Sequence, residues 1–160
     1  MVGCPEKGAT NEQTSIEVLV VANETVEGDV LHEAVHATGA AEVHVIAPAL
    51  NSRLRHWVSD EDQAHRTAED RLSACLARLR SSGLDARGSV GDADPLQALA
   101  DALRFFPADE IVIATHPEGR SHWLALNLVE RARSRFAQPI VHVVVDLANH
   151  HEYVSLPAAA

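Results

Sequence analysis

Four short runs rich in β-branched residues constrain this chain most: 16–21 (IEVLVV), 42–47 (EVHVIA), 110–114 (EIVIA) and 139–145 (PIVHVVV). A strand covered on both faces reads as a near-continuous apolar run, whereas a strand with one wet face alternates. Residues 84–90 supply a weaker fifth run. Helical patterns separate the runs. Leu31, Ala34, Val35 and Thr38 share one face of 28–38, and Gly39 is its stop. Ala64, Ala68, Leu72, Cys75, Leu76 and Leu79 form a longer stripe, with Ser59 or Asp60 as N-cap and Gly83 past its end. Asp94-Pro95 opens a third helix as an acidic cap followed by proline, with Leu96, Leu99, Ala100 and Leu103 as its buried face. A fourth helix is expected over 121–136. Strand and helix in strict alternation predict an α/β three-layer sandwich, a five-stranded parallel sheet with helices on both faces.

Its 160 residues fit one domain, and 46% hydrophobic content builds a core without staples. Residues 1–14 read as a disordered leader, 15–147 as the domain and 148–160 as a flexible tail. Two cysteines, Cys4 and Cys75, make no zinc pattern and suit a reducing cytoplasm. No stretch reaches the roughly 20 apolar residues of a membrane span, so no membrane partner is expected. With 23 acids against 13 bases, and Lys7 as the only lysine, nucleic acid is not an expected partner either.

In sheets of this kind ligands sit at the carboxyl ends of the strands, where strand order reverses. Several sites are struck out there. No G-x-G-x-x-G follows the first strand, no G-x-x-x-x-G-K-[ST] occurs, and no G-x-S-x-G elbow exists. His32-Glu33-Ala34-Val35-His36 matches H-E-x-x-H, but it lies in a short crossover. His32 and His36 flank its apolar face and are expected to be exposed, so no metal site is assigned. His44 and His142 alternate with apolar residues in strands, and each is expected to be satisfied against a covering helix.

Ala114-Thr115-His116-Pro117, nine residues, then Asn127-Leu128, keep the spacing G-x2-G-x9-G-[ST]. A helix, Pro139 and a last apolar strand follow, and Gly91-Asp92-Ala93-Asp94-Pro95 leads into the third helix. Over 16–146 the chain resembles the universal stress protein family, within the adenine nucleotide α-hydrolase-like group. The resemblance implies strand order 3-2-1-4-5, ATP or another nucleotide as ligand, and a homodimer paired through the last strand (139–145). The motif glycines are replaced by Ala114, Pro117 and Asn127, and the closing Ser/Thr by Leu128. The aspartate expected after the first strand corresponds to Ala22 or Asn23. Glycines there let amides approach phosphate oxygens, and proline has no amide to offer.

The loop after the fourth strand is nonetheless dense in polar groups. Asn23, Thr115, His116, Gly119, Arg120, Ser121, His122 and Asn127 are the candidate binding residues for a small anionic ligand. Arg120 offers a bidentate grip on phosphate or carboxylate, beside amides of a helix N-terminus. No acid/base pair or nucleophile with a base is visible in the sequence, so no catalytic residue is named and no cofactor is certain. Three functions follow in order: a non-enzymatic, cytoplasmic universal-stress-like homodimer with an altered or lost ATP site; a sensor of a nucleotide or phosphorylated metabolite; and a nucleotide hydrolase.

Overall fold

Why the apolar runs become strands is visible in how their side chains divide. The structure is a computed structural model that describes residues 15–22, 29–49, 60–117, 127–146, 148–149 and 151–155. The parallel strands are β1 (Ile16–Val21), β2 (Ala40–Pro48), β3 (Asp85–Gly91), β4 (Glu110–Thr115) and β5 (Ile140–Asp146). Val18, Val20, Val43, Val45, Val112, Val143 and Val145 point to one face. There they meet α1 (Asp29–Ala37) and α2 (Asp60–Ser81) through Leu31, Val35, Leu72, Leu76 and Leu79. Leu19, Val21, Ile46, Ile111 and Ile113 point to the other face. They pack under α3 (Pro95–Ala102) and α4 (Leu128–Arg135) through Leu96, Leu99, Leu128, Val129 and Ala132. Two cores on two faces explain why alternation is missing from the sequence.

The ends of these elements follow local chemistry. Gly39 closes α1 at φ 73°, a left-handed backbone that glycine adopts without strain. The Asp94 carboxylate accepts from the Leu96 amide at 2.9 Å, and Pro95 is the first helical residue. At Gly91 a Cβ would sit 2.7 Å from Ile46 Cγ2 and 2.8 Å from Ala98 Cβ, so glycine is what lets α3 lie close on β2 and β3.

The sheet runs β3-β2-β1-β4-β5-β6. The five parallel strands keep the expected order. The sixth corrects the expectation of five: His151–Ser155, within the segment read as a flexible tail, pairs antiparallel with β5. Its local cause is Asp146, whose Oδ1 accepts the Ala148 and Asn149 amides and whose Oδ2 accepts from Asn149 Nδ2 at 2.7 Å. These bonds fold the chain back on itself. β5 therefore lies between β4 and β6, and the edge on that side is β6 rather than 139–145.

Two further expectations change. The helix predicted over 121–136 does not run through Asn127, which stands at φ 52° and ψ 39° as N-cap of α4; residues 118–126 lie outside those described. A left-handed residue cannot continue a right-handed helix. His32, expected to be exposed, is buried, because α1 packs against β6 as well as β5 and its covered arc is wider than its apolar stripe. His36 is exposed, and its Nε2 lies 3.0 Å from Ser82 Oγ at the end of α2. The leader 1–14 lies outside the described residues, as does Ser59. Among the described residues no helix is long and apolar enough to cross a membrane, and no cluster of histidine, cysteine and carboxylates could hold a metal ion.

Candidate functional site

β1 pairs with β2 on one side and β4 on the other, so the chain reverses its direction of winding between β1 and β4. Crevices form at such points because the connections leave to opposite faces. Among the described residues, the carboxyl rim there is made by Ala22 after β1 and by Thr115, His116 and Pro117 after β4.

Thr115 and His116 are held by β5. Thr115 Oγ1 and His142 Nε2 share a hydrogen bond of 2.8 Å, and both side chains are buried. Burial, and then the charge of Arg133 on α4, hold the His142 imidazole below its usual pKa of 6.5. It is therefore neutral at neutral pH. One residue on, His116 Nδ1 donates to the Val145 carbonyl at 3.3 Å, leaving the ring half-buried at the rim.

The positions that carry glycine or a hydroxyl in the resembling motif have distinct fates. The Ala114 methyl is buried in the core beneath α1 and α2. Pro117 supplies no amide. Leu128 is buried under the second face, where a serine or threonine would have offered a hydroxyl. Asn127 retains the left-handed backbone that glycine adopts freely, since asparagine is among the few other residues that enter it. Its side chain makes no capping bond and the residue is exposed, so the amide faces solvent at the start of α4.

Of the candidate residues, then, the structure places Thr115 and His116 together at the β4 rim and Asn127 at the head of α4. Asn23, Gly119, Arg120, Ser121 and His122 lie outside the described residues. The coupling of Thr115 to His142 was missed in sequence. The signal lay in one polar residue within PIVHVVV and one closing EIVIAT, yet nothing short of the strand order says that they meet. Cys75 is buried, and burial pushes its thiol up to about 11, so it packs and does not react.

The architecture is similar to that of solved universal stress proteins. One from Burkholderia pseudomallei superposes with a TM-score of 0.57 at 14% identity, covering 81% of this chain and 96% of that one. One from Archaeoglobus fulgidus gives 0.55 at 15% identity, covering 80% and 93%. This chain has the universal stress protein fold. A universal stress protein from Archaeoglobus fulgidus solved in complex with dAMP is also similar, with a TM-score of 0.53, 16% identity, and coverage of 80% and 96%. Neither a protein-family model nor a curated protein matches the chain.

Proposed function

We propose that this chain is a non-enzymatic, cytoplasmic universal-stress-like protein, working as a homodimer, whose nucleotide crevice no longer grips a triphosphate as the glycine motif would. The reading rests on Thr115. Its hydroxyl is buried and tied to a neutral His142 rather than turned to the crevice. Around it Pro117 has no donor, and Leu128 is turned into the core. No lysine or arginine stands among Ala22, Thr115, His116, Pro117, Asn127 and Leu128. Phosphate recognition needs close amides or cations, and these described rim residues supply no cation. Because β5 is paired on both sides, the edge open to strand pairing with a second copy on that side is β6.

Melting the full chain with and without ATP decides the matter. A ligand at a hundred times its Kd adds about 2.7 kcal/mol to stability, several degrees in a domain of this size. No shift is expected with millimolar ATP, and no ADP or AMP is formed. A shift saturating at micromolar ATP, or turnover, overturns the reading.

A second reading is favoured by the dAMP complex of the Archaeoglobus fulgidus protein: a sensor of a monophosphate or phosphorylated metabolite. Stabilisation by AMP or dAMP but not by ATP, lost in Arg120→Ala with folding intact, selects it over the first.

A further inference from the structure

The second face of the sheet is covered unevenly. Toward the carboxyl end of β3, Ala98 of α3 closes on Gly91. Nearer the amino ends of β2 and β3 the face carries Glu42, His44, Asp85, Arg87 and Ser89, of which Asp85, Arg87 and Ser89 are exposed. The parallel register places His44 opposite Arg87 and Ile46 opposite Ser89. Residues two apart on a strand share a face, so His44 and Ser89 meet diagonally across the pair. His44 Nε2 lies 3.2 Å from Ser89 Oγ.

The surroundings of this pair bear on which way its proton can move. The His44 ring is half-buried against Phe106, with ring centroids 5.4 Å apart. That contact shields one side of the ring. Burial holds His44 below its usual pKa of 6.5, against an opposing pull from Glu42 and with a further push from Arg87, so the imidazole is neutral and able to accept a proton at neutral pH. Arg87 is loosely held, 3.6 Å from Glu42 Oε1 and 3.8 Å from Asp85 Oδ2, with its side chain 66% exposed. A guanidinium so placed, two residues before Ser89 on the same face, can turn to an oxyanion forming there.

We propose that Ser89 is a covalent acyl-acceptor site, its hydroxyl activated by His44 and its donors thioesters or activated esters. In the Nδ1-protonated tautomer the Ser89 hydroxyl donates to His44 Nε2. Ser89 Oγ attacks the carbonyl carbon, forming the Oγ–C bond, while the proton passes to Nε2. The C–S or C–O bond to the leaving group then breaks, and Nε2 returns the proton to the departing thiolate or alkoxide. The products are one acyl-serine and one free thiol or alcohol, with no change of oxidation state. The site lies three strands from the β4 rim and makes no use of it, so it stands or falls separately from the nucleotide reading.

The full chain is incubated at neutral pH with p-nitrophenyl acetate, and acetylation is followed peptide by peptide by mass spectrometry. Ser73, exposed on α2, serves as the reference hydroxyl in the same molecule. Ser89 is expected to acetylate about a hundredfold faster than Ser73, within the usual range for a positioned general base. In His44→Gln that advantage disappears, and in Ser89→Ala the acetyl group is lost from the peptide. Equal rates at Ser89 and Ser73 in the wild-type chain overturn the proposal without recourse to any variant. So does an acetyl group that rests on His44, or a Ser89 rate unchanged in His44→Gln.

Discussion

His142 shows how one polar residue in an apolar run ties a rim to the interior. Between Ile113 on β4 and the cover of α4 it is buried, and the hydroxyl of Thr115 is its partner at 2.8 Å. Removing either group leaves the other buried and unsatisfied, which costs about 1–3 kcal/mol. Protonation has a defined sign. The folded-state pKa lies below 6.5, so between the two values the unfolded chain binds more protons than the folded one. The stability tied to neutral His142 is complete above 6.5 and is lost as pH falls through the folded value. His44, held low by burial, acts in the same direction. The melting temperature should therefore fall as pH drops from about 7 to about 5, where histidines titrate. In His142→Gln, which keeps a polar partner for Thr115 but does not titrate, the fall should be shallower. Parallel curves for the two proteins would exclude His142 as a source of the slope. Asn127 teaches a complementary lesson at this scale. Judged by identity a motif glycine is gone, yet φ 52° is preserved, so the backbone path at the head of α4 is the kind that glycine would have given.

At the scale of elements, the sequence was legible where one signal answered one structural need. Asp94-Pro95 named the start of α3, and Gly39 and Gly83 the stops after α1 and α2, at φ 73° and 94°. The apolar runs named β1, β2, β4 and β5, because burial on both faces favours apolar side chains at most positions. Two things were not legible. α4 starts at Leu128 because Asn127 is left-handed; asparagine is a weak helix former but still occurs inside helices, so its letter alone does not mark a break. β6 is five residues with exposed Tyr153 and Val154, too short for a periodic signal, and it exists because Asp146 turns the chain back. Most of the loop after β4 lies outside the described residues, and at its start the Thr115–His142 coupling depends on a cross-strand partner that only the strand order supplies. The close packing of α3 on the sheet depends on Gly91. In Gly91→Ala the new methyl meets Ile46 Cγ2 at 2.7 Å and Ala98 Cβ at 2.8 Å, one on a strand and one on a helix. Neither atom is the far end of a flexible chain, so α3 must lift from the sheet. A loss of about 1–3 kcal/mol is expected from overpacking of this kind, read as a lower denaturation midpoint in urea. An unchanged midpoint would mean that α3 moves without cost.

For the whole molecule the deciding question is what guards the β5 side of the sheet. A parallel sheet ending in IVHVVVD would present its backbone groups beside a row of valines, an invitation to other strands. The chain answers with β6, whose five residues pair antiparallel with His142 through Asp146. That strand also lies against α1 and helps bury His32, so it closes both a sheet edge and a helix flank. It leaves Tyr153 and Val154 exposed at 46% and 41%, which moves the available pairing edge outward by one strand. If β6 guards the edge in this way, ending the chain after Asn149 should have two effects together. Stability should fall by at least about 2 kcal/mol, roughly 4–8 °C in a domain of this size, as β5 loses its ladder and α1 its flank. Sedimentation at tens of micromolar should shift toward larger species, as β5 edges find one another. Tyr153→Lys, which keeps β6 but charges the outer edge, should instead weaken self-association and leave the melting temperature nearly unchanged. A truncated chain that melts and sediments like the full one would show that β6 merely rests on the sheet, and that the pairing edge is β5 after all.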